Sequence, residues 1–372
     1  METVFVNKHY CSGCTACESL CPVGAISMVP DSEGFLYPQI DQAVCTDCRT
    51  CASLCPFQVE GAYKFEASPR YYMLRHRSEA VLRQSTSGGA FTAFSDHLLE
   101  GGGVIYGVVF DEALQVIHTR AETTKERDLM RVSKYVQSDL GNTYGQMQED
   151  LAAGKTVLFT GTPCQTAGVY AAFQDSPHLD RLILCDLICH SIPSPRVWED
   201  YKALLEQEAG GKIIQVQFRN KVYPWSRANS NRGFFYQIEG ENSPREDDRF
   251  YLLFKENSAV RPSCYHCPFT DEKRAADLTI ADYWGIENFA SALYDPLGVS
   301  VVLVNSPKGQ ALWDKSTDLV LSEERPALES TSQQKRLSEP GKEPLSRAEF
   351  WECYDAYGLD AAIQFVESRL TK

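Results

Sequence analysis

Cys11-Ser12-Gly13-Cys14-Thr15-Ala16-Cys17-Glu18-Ser19-Leu20-Cys21-Pro22 decides the reading of this chain, because its spacing returns 34 residues later as Cys45-Thr46-Asp47-Cys48-Arg49-Thr50-Cys51-Ala52-Ser53-Leu54-Cys55-Pro56. Each run is C-x2-C-x2-C-x3-C-P, the spacing that holds a pair of 4Fe–4S clusters. Three thiolates of a run bind one cluster, and the fourth, ahead of the proline, crosses to the other. One cluster is therefore expected on Cys11, Cys14, Cys17 and Cys55, and the second on Cys45, Cys48, Cys51 and Cys21. Zinc sites usually pair one C-x2-C with a distant second half. Disulfide frameworks belong to small secreted domains. Neither fits two such runs in a chain of 372 residues.

The composition is that of a protein with real cores: 43% hydrophobic, 23% charged. A net charge of −14 argues against general binding to nucleic acid or an anionic membrane. Apolar stretches such as 103–110 are far too short to span a bilayer, so no membrane insertion is expected. The opening METVFVNKHY lacks a basic-then-apolar signal segment. With fourteen cysteines and oxygen-sensitive clusters, a cytoplasmic location is expected.

Outward from the cysteine runs, residues 1–60 read as a small ferredoxin-like α+β module, its thin core stapled by clusters and separate from the rest. A connector covers 61–72. Strand and helix patterns then alternate over 73–321, as in a mixed-sheet α/β domain. Strands are expected at 71–76, 104–110, 115–120, 156–160, 181–187, 213–218, 234–238, 278–280 and 299–304. Helices are expected over 88–100, 140–153, from 165 onward and over 195–206. Residues 322–372 read as a polar surface segment closed by a helix at 359–370.

Three small turns join these elements: Ser85-Thr86-Ser87-Gly88-Gly89, Ser133-Lys134-Tyr135-Val136-Gln137-Ser138 and Gly161-Thr162-Pro163-Cys164-Gln165. The first and third lead into helices, whose free N–H groups suit a phosphate. Plain helix capping explains each equally well. No dinucleotide fingerprint or P-loop is present. A second group of cysteines, Cys164, Cys189, Cys264 and Cys267, sits at element ends and in loops. On residues alone, a four-thiolate zinc and an iron–sulfur cluster fit this group equally. Cys185 and Cys353 read as inert core thiols.

Residues from about 80 to 365 resemble the coenzyme F-420 hydrogenase/dehydrogenase beta-subunit family. The resemblance rests on Ser87-Gly88-Gly89-Ala90-Phe91, Ser133-Lys134-Tyr135-Val136-Gln137-Ser138, Gly161-Thr162-Pro163-Cys164-Gln165, Asp186-Leu187-Ile188-Cys189-His190 and Asp282-Tyr283-Trp284-Gly285, in that order. Ser191 stands where relatives often have glycine, and Ala281-Asp282-Tyr283 where they often have Gly-Asp-Phe. The resemblance implies FAD and a third 4Fe–4S cluster in this domain, with Cys164, Cys189, Cys264 and Cys267 as its ligands. It also implies a ferredoxin module in front, as here.

By the same resemblance, FAD is expected at Ser87, Gly88, Gly89, Ser133, Lys134, Gln137, Gly161, Thr162 and Gln165. Lys134 would supply charge near the phosphates or the reduced ring, and His190 a proton. Phe218–Arg227, rich in cations and aromatics, is a candidate substrate clamp or a plain strand and loop. The expected function is an iron–sulfur flavoprotein oxidoreductase passing electrons between clusters, FAD and a small-molecule or deazaflavin substrate, with a redox partner protein. The alternatives are a subunit that only relays electrons and an iron–sulfur protein without flavin. Family likeness names the electron chemistry and leaves the substrate open.

Overall fold

Successive residues of the central strands point to opposite faces, and both faces are covered. Val104, Val157 and Leu182 face one apolar cluster; Ile105, Leu158 and Ile183 face another; Tyr106, Phe159 and Leu184 return to the first. This run of wholly buried residues is the mark of a parallel sheet packed between helices. The computed structural model describes residues 7–59, 65 and 68–370. Half of the connector expected at 61–72 therefore lies outside the described residues, and its end, from Arg70, is already strand.

The described strands are β1 (Ile26–Pro30), β2 (Leu36–Ile40), β3 (Arg70–His76), β4 (Val104–Phe110), β5 (Val116–Ala121), β6 (Val157–Gly161), β7 (Leu182–Leu187), β8 (Ile213–Gln217), β9 (Phe235–Ile238), β10 (Arg245–Glu246), β11 (Leu278–Asp282), β12 (Ser300–Val304) and β13 (Val320–Glu324). Eight of them form one sheet in the order β13-β3-β12-β11-β7-β6-β4-β5. Its middle strands β11, β7, β6 and β4 are parallel, and antiparallel neighbours close both sides. Helices Ala90–Glu100 and Pro307–Ser316 cover one face with Phe94, Leu98, Leu312 and Trp313. Helices Thr143–Ala152 and Pro163–Phe173 cover the other with Tyr144, Met147, Val169 and Phe173.

A smaller antiparallel sheet, β10-β9-β8, lies on an aromatic core. Trp198 and Tyr201 of helix Pro195–Ala209 meet Phe218, Phe234 and Phe250 there. Helix Arg347–Tyr357 adds Phe350, Trp351 and Tyr354. The mixed α/β reading thus holds, and most strands fall within a residue or two of their expected bounds. Several elements escaped the sequence reading, helix Pro307–Ser316 among them; three others show why. Strand β13 buries only Val320, so it shows no alternation, and it carries the expected boundary at 321/322 through its middle. Helix Arg249–Lys255 is short and mostly apolar, without helical periodicity. Helix Arg347–Tyr357 sits where the segment ahead of the last helix read as polar.

The cysteine-rich module is not a separate body with its own core, as the sequence suggested. Its two runs fold alike: Gly13 and Thr15, and then Asp47 and Arg49, all take left-handed backbone, and each run passes into a one-turn helix, Ala16–Ser19 or Thr50–Ser53. The hairpin β1–β2 follows the first run. Ala16 and Leu20, however, pack into the core beneath the large sheet. Ser194 Oγ donates to Glu33 O at 2.5 Å, and Arg347 pairs with Glu33. Too few apolar residues belong to the module alone, so its inner side is completed by the larger domain.

The hairpin turn gives a direct check on this docking. Gly34 and Gly24 both have left-handed backbone. A Cβ at Gly34 would lie 2.6 Å from Arg196 Cβ and 2.8 Å from Arg196 N, whereas nothing lies within 4 Å of one at Gly24. Gly24→Ala is expected to cost about 1–2 kcal/mol from backbone strain alone. Gly34→Ala adds overpacking of about 1–3 kcal/mol. Thermal unfolding of both variants checks this; equal losses would mean that the turn does not rest on helix Pro195–Ala209.

Candidate functional site

The parallel strands β4, β6, β7 and β11 end on one edge of the sheet, where ligands of open α/β folds gather. β6 runs into Gly161-Thr162-Pro163-Cys164, β7 into Ile188-Cys189-His190, and β11 ends at Asp282. Ser87 and Gly88 reach the same edge from another connection. Ser87 Oγ donates to Val299 O at 2.7 Å, and Gly88 N to Ser300 Oγ at 2.9 Å; Ser300 is the register partner of Asp282. The Ser133 turn joins through Thr86, whose Oγ1 lies 3.2 Å from Ser133 Oγ and accepts the Ser133 N–H at 2.9 Å. Gly89, in left-handed backbone, caps helix Ala90–Glu100.

Cys11, Cys14, Cys17 and Cys55 line one cavity, with Cys51 of the other group at its wall. Desolvation, then Cys55, pushes the Cys14 thiol up to about 12. Desolvation, then Cys14, Cys11 and Cys55, raises Cys17. In the other group, Cys51 is raised by desolvation and feels Cys48 and Cys21. Cys55 thus lies close to Cys14 of the first run, and Cys21 close to Cys51 of the second. Cys21 accepts the Ala25 N–H at 3.2 Å, and Cys48 accepts the Thr50 hydroxyl at 3.4 Å. Cys48 is exposed, so this second group reaches the surface while the first is enclosed.

The later cysteines also gather. Desolvation, then Cys264, Cys164 and Cys267, holds the Cys189 thiol well above its usual range. Cys264 is raised by burial, then by Cys267 and Cys164. Among the described residues no such group closes on a point that a single metal ion would occupy. Beside Cys189 lies Arg274, whose side chain is wholly buried. Its Nη1 donates to Phe269 O at 3.1 Å and lies 3.4 Å from Asp186 Oδ2, but its Nε and Nη2 have no partner among the described residues. Asp186 is at ion-pair distance from Nη1, but the unpaired Nε and Nη2 of a buried guanidinium remain costly. Four converging thiols and an underused buried cation fit an anionic, thiolate-held cluster.

The two enclosed cysteine groups adjoin: Cys164 is near enough to raise the Cys14 pKa. Helix Pro163–Phe173, which carries Cys164, is built for that approach. A Cβ at Gly168 would lie 2.9 Å from Cys14 Sγ. Tyr144 Oη donates to Cys14 O at 2.7 Å. Arg261, almost fully buried, donates to Cys11 O at 2.7 Å, Leu36 O at 2.8 Å and Gln137 Oε1 at 3.0 Å, and lies over the Tyr37 ring. Gln137 in turn donates to Ser12 O at 2.9 Å. The positive charge of Arg261 also reaches Cys164 and Cys264. Arg261, Arg274 and Tyr144 were invisible to motif reading; their signal is burial of charge or hydroxyl against cysteine loops.

The other residues singled out from the sequence have these places. Lys134 Nζ donates to the carbonyls of Leu129, Arg131 and Val132 at 2.9–3.2 Å. Burial pulls its pKa down to about 7, while three carbonyls favour the charged form. His190 leans on Phe254, ring centroids 4.9 Å apart. Its outer edge is exposed, yet desolvation by the wall behind it, then Arg336, lowers its pKa to about 4 against a hydrogen bond with Asn257. Cys185 is buried in the core; Cys353 lies in helix Arg347–Tyr357, half-buried.

Gln165 ends a hydrogen-bond chain that supports the Gly161–Thr162 turn. Its Oε1 accepts the Thr162 N–H and hydroxyl, each at 3.0 Å, and its Nε2 donates to Ser138 Oγ at 3.0 Å. The Ser138 hydroxyl then donates to His118 Nδ1 at 3.0 Å, and His118 Nε2 to Thr160 O at 3.1 Å. This chain needs a neutral His118 protonated on Nε2. Burial lowers its pKa from 6.5 to about 4. The folded pKa is below the unfolded one, so the stabilisation is complete above about pH 6.5 and is lost as pH falls toward 4, roughly 3 kcal/mol in all. Melting temperature measured from pH 7 to 4.5 should fall more steeply for the unmodified chain than for His118→Gln; equal slopes would remove His118 as the cause.

Residues 154–327 match the family model for the carboxyl-terminal part of the coenzyme F420 hydrogenase/dehydrogenase beta subunit. Residues 10–59 match the 4Fe-4S dicluster domain. No curated protein sequence matches the chain. Among solved structures, a chain of the F420-reducing NiFe hydrogenase complex from Methanosarcina barkeri is similar over 80% of this chain and 96% of its own, with 16% identity and a TM-score of 0.49. Residues 154–327 thus carry the carboxyl-terminal domain of the coenzyme F420 hydrogenase/dehydrogenase beta-subunit family, with a 4Fe-4S dicluster domain ahead of it at 10–59.

Proposed function

We propose that the chain is an iron–sulfur flavoprotein oxidoreductase carrying three 4Fe–4S clusters and FAD. The outer cluster belongs to Cys45, Cys48, Cys51 and Cys21, the middle one to Cys11, Cys14, Cys17 and Cys55, and the inner one to Cys164, Cys189, Cys264 and Cys267. FAD belongs on the carboxyl edge of the sheet, beside the inner set. When bound, these groups supply one-electron storage and conversion between one- and two-electron chemistry. The observation that carries the reading is the approach of Cys14 to Cys164, which joins two cysteine sets from distant parts of the sequence into one line.

The chain's own residues do the positioning. Tyr144 and Gly168 seat Cys14 against the helix that bears Cys164. Arg261 and Arg274 balance negative charge at the two enclosed sets. Toward FAD, Ser87, Gly88, Gly89, Ser133, Gly161 and Thr162 shape the turns on the carboxyl edge. The side chains of Lys134, Gln137 and Gln165 are bonded within the protein, so they serve the flavin by holding those turns. His190, neutral at pH 7, can present a ring N–H as a hydrogen-bond donor to the reacting group. The exposed Cys48 favours a protein redox partner at the outer set. The organic substrate, of which a deazaflavin-type coenzyme is one form, meets the flavin. Among the described residues, no helix is long and apolar enough to cross a membrane.

Anaerobic purification is expected to give about twelve irons per chain, four in each cubane, with one flavin. Cys264→Ser should lower iron to about eight and leave the dicluster electron paramagnetic resonance signal in place. Iron near eight with zinc near one in the unmodified chain would replace the inner cluster by a zinc site. A chain without flavin would be a relay or a flavin-free iron–sulfur protein. Turnover of a small molecule with an artificial electron donor separates the oxidoreductase from the relay.

A further inference from the structure

The string Phe218–Arg227 does not behave as one surface loop. Phe218 is in the aromatic core, and the residues after it line a small pocket in which Arg219, Lys221 and Arg232 stand with Thr86, Tyr223 and Trp225. Arg219 is buried in left-handed backbone. Its Nη1 lies 3.3 Å from Asp282 Oδ2 and 3.2 Å from Tyr135 Oη, and its guanidinium lies over the Trp284 ring. The other oxygen of Asp282 accepts the Trp225 indole N–H at 2.6 Å, and Trp225 stacks on Trp284 at 4.9 Å and 11°. Asp282 is therefore shared out before it can serve a third group.

Lys221 is the cation left over. It donates to Leu297 O, and among the described residues it has no carboxylate at ion-pair distance. The nearby Asp295 is engaged by Arg75, and Asp248 lies 3.8 Å from Arg232. Desolvation accordingly draws the Lys221 pKa down to about 8. Its backing is close-fitted: a Cβ at Gly298 would lie 2.9 Å from Lys221 Nζ and 2.8 Å from the Ser87 carbonyl. The pocket opens beside Thr86, which bonds the Ser133 turn, on the carboxyl edge where Asp282 ends β11. Lys134, by contrast, spends its donors on its own loop.

We propose that this pocket binds a phosphate group, seated on Lys221 and Arg219 beside the Trp225–Trp284 stack. The phosphate comes either from FAD or from the organic redox substrate. A compact ammonium and a guanidinium fork together suit phosphate oxygens, and an anion would supply the counter-charge that Lys221 lacks. The inference rests on the oxidoreductase reading only for which molecule carries the phosphate; anion binding is read without it.

The test is calorimetric titration of the full chain, purified anaerobically, with inorganic pyrophosphate, both flavin-loaded and flavin-depleted. Lys221→Gln should weaken binding about ten- to hundred-fold, the size of one charge-assisted contact. Lys221→Arg should retain most of it, which guards against a folding defect. Lys212→Gln, exposed at the start of β8, should match the unmodified chain. Binding to the depleted form alone, with flavin lost from Lys221→Gln, assigns the pocket to FAD. Binding to the loaded form, with flavin retained in Lys221→Gln, assigns it to the substrate. No binding to either form, or equal binding by Lys221→Gln, overturns the proposal. A chain found to hold no flavin would sink the flavoprotein reading while leaving this titration able to stand or fall by itself.

Discussion

A single buried guanidinium ties the parts of this molecule together. Arg261 reaches Cys11 O and Leu36 O on one side and Gln137 on the other. Carbonyls and aromatic faces satisfy it where a carboxylate would leave it neutralised. Its charge therefore remains available to the surrounding cysteines. In a low-dielectric interior that charge acts over a distance that water would screen. The same side chain, with Tyr144, Ser194 and Arg347, also holds the cysteine-rich hairpin against the larger domain.

Around that contact the architecture divides labour simply. Parallel strands deliver turns to one edge, because only that arrangement points several carboxyl ends the same way. The aromatic core under the small sheet holds Phe218 and the chain that leads to Arg219. The cysteine loops need left-handed residues at matching places in both runs, which is why the second run can use Asp47 and Arg49 where the first has Gly13 and Thr15 without changing the trace. Local backbone shape is dictated here by what the thiols must surround.

Much of this was legible in the chain itself. The C-x2-C-x2-C-x3-C-P runs announce the dicluster domain, and the continuous apolar runs of β4, β6 and β7 announce the buried sheet. What escaped depends on partners far away in sequence. Nothing in Arg261, Arg274 or His118 taken singly distinguishes them from surface residues; their meaning comes from burial against Cys11, Cys189 and Ser138. Lys134 looked suited to a ligand because of its neighbours, yet its three carbonyl acceptors lie within five residues of it. The module boundary looked clean because periodicity changes there, whereas Ala16 and Leu20 pack across it.

The shared wall between the hairpin and the large domain also orders the molecule's biogenesis. The first cysteine run leaves the ribosome early, but the groups that enclose it come much later: Tyr144, Gly168 and Arg261. Contacts at such sequence separation close slowly. During that interval the thiols of Cys11, Cys14 and Cys17 stay open to delivery of iron and sulfide, and equally to oxidation. Closure of the chain's latter half then encloses those thiols, so a cluster held there would have to be in place before that closure.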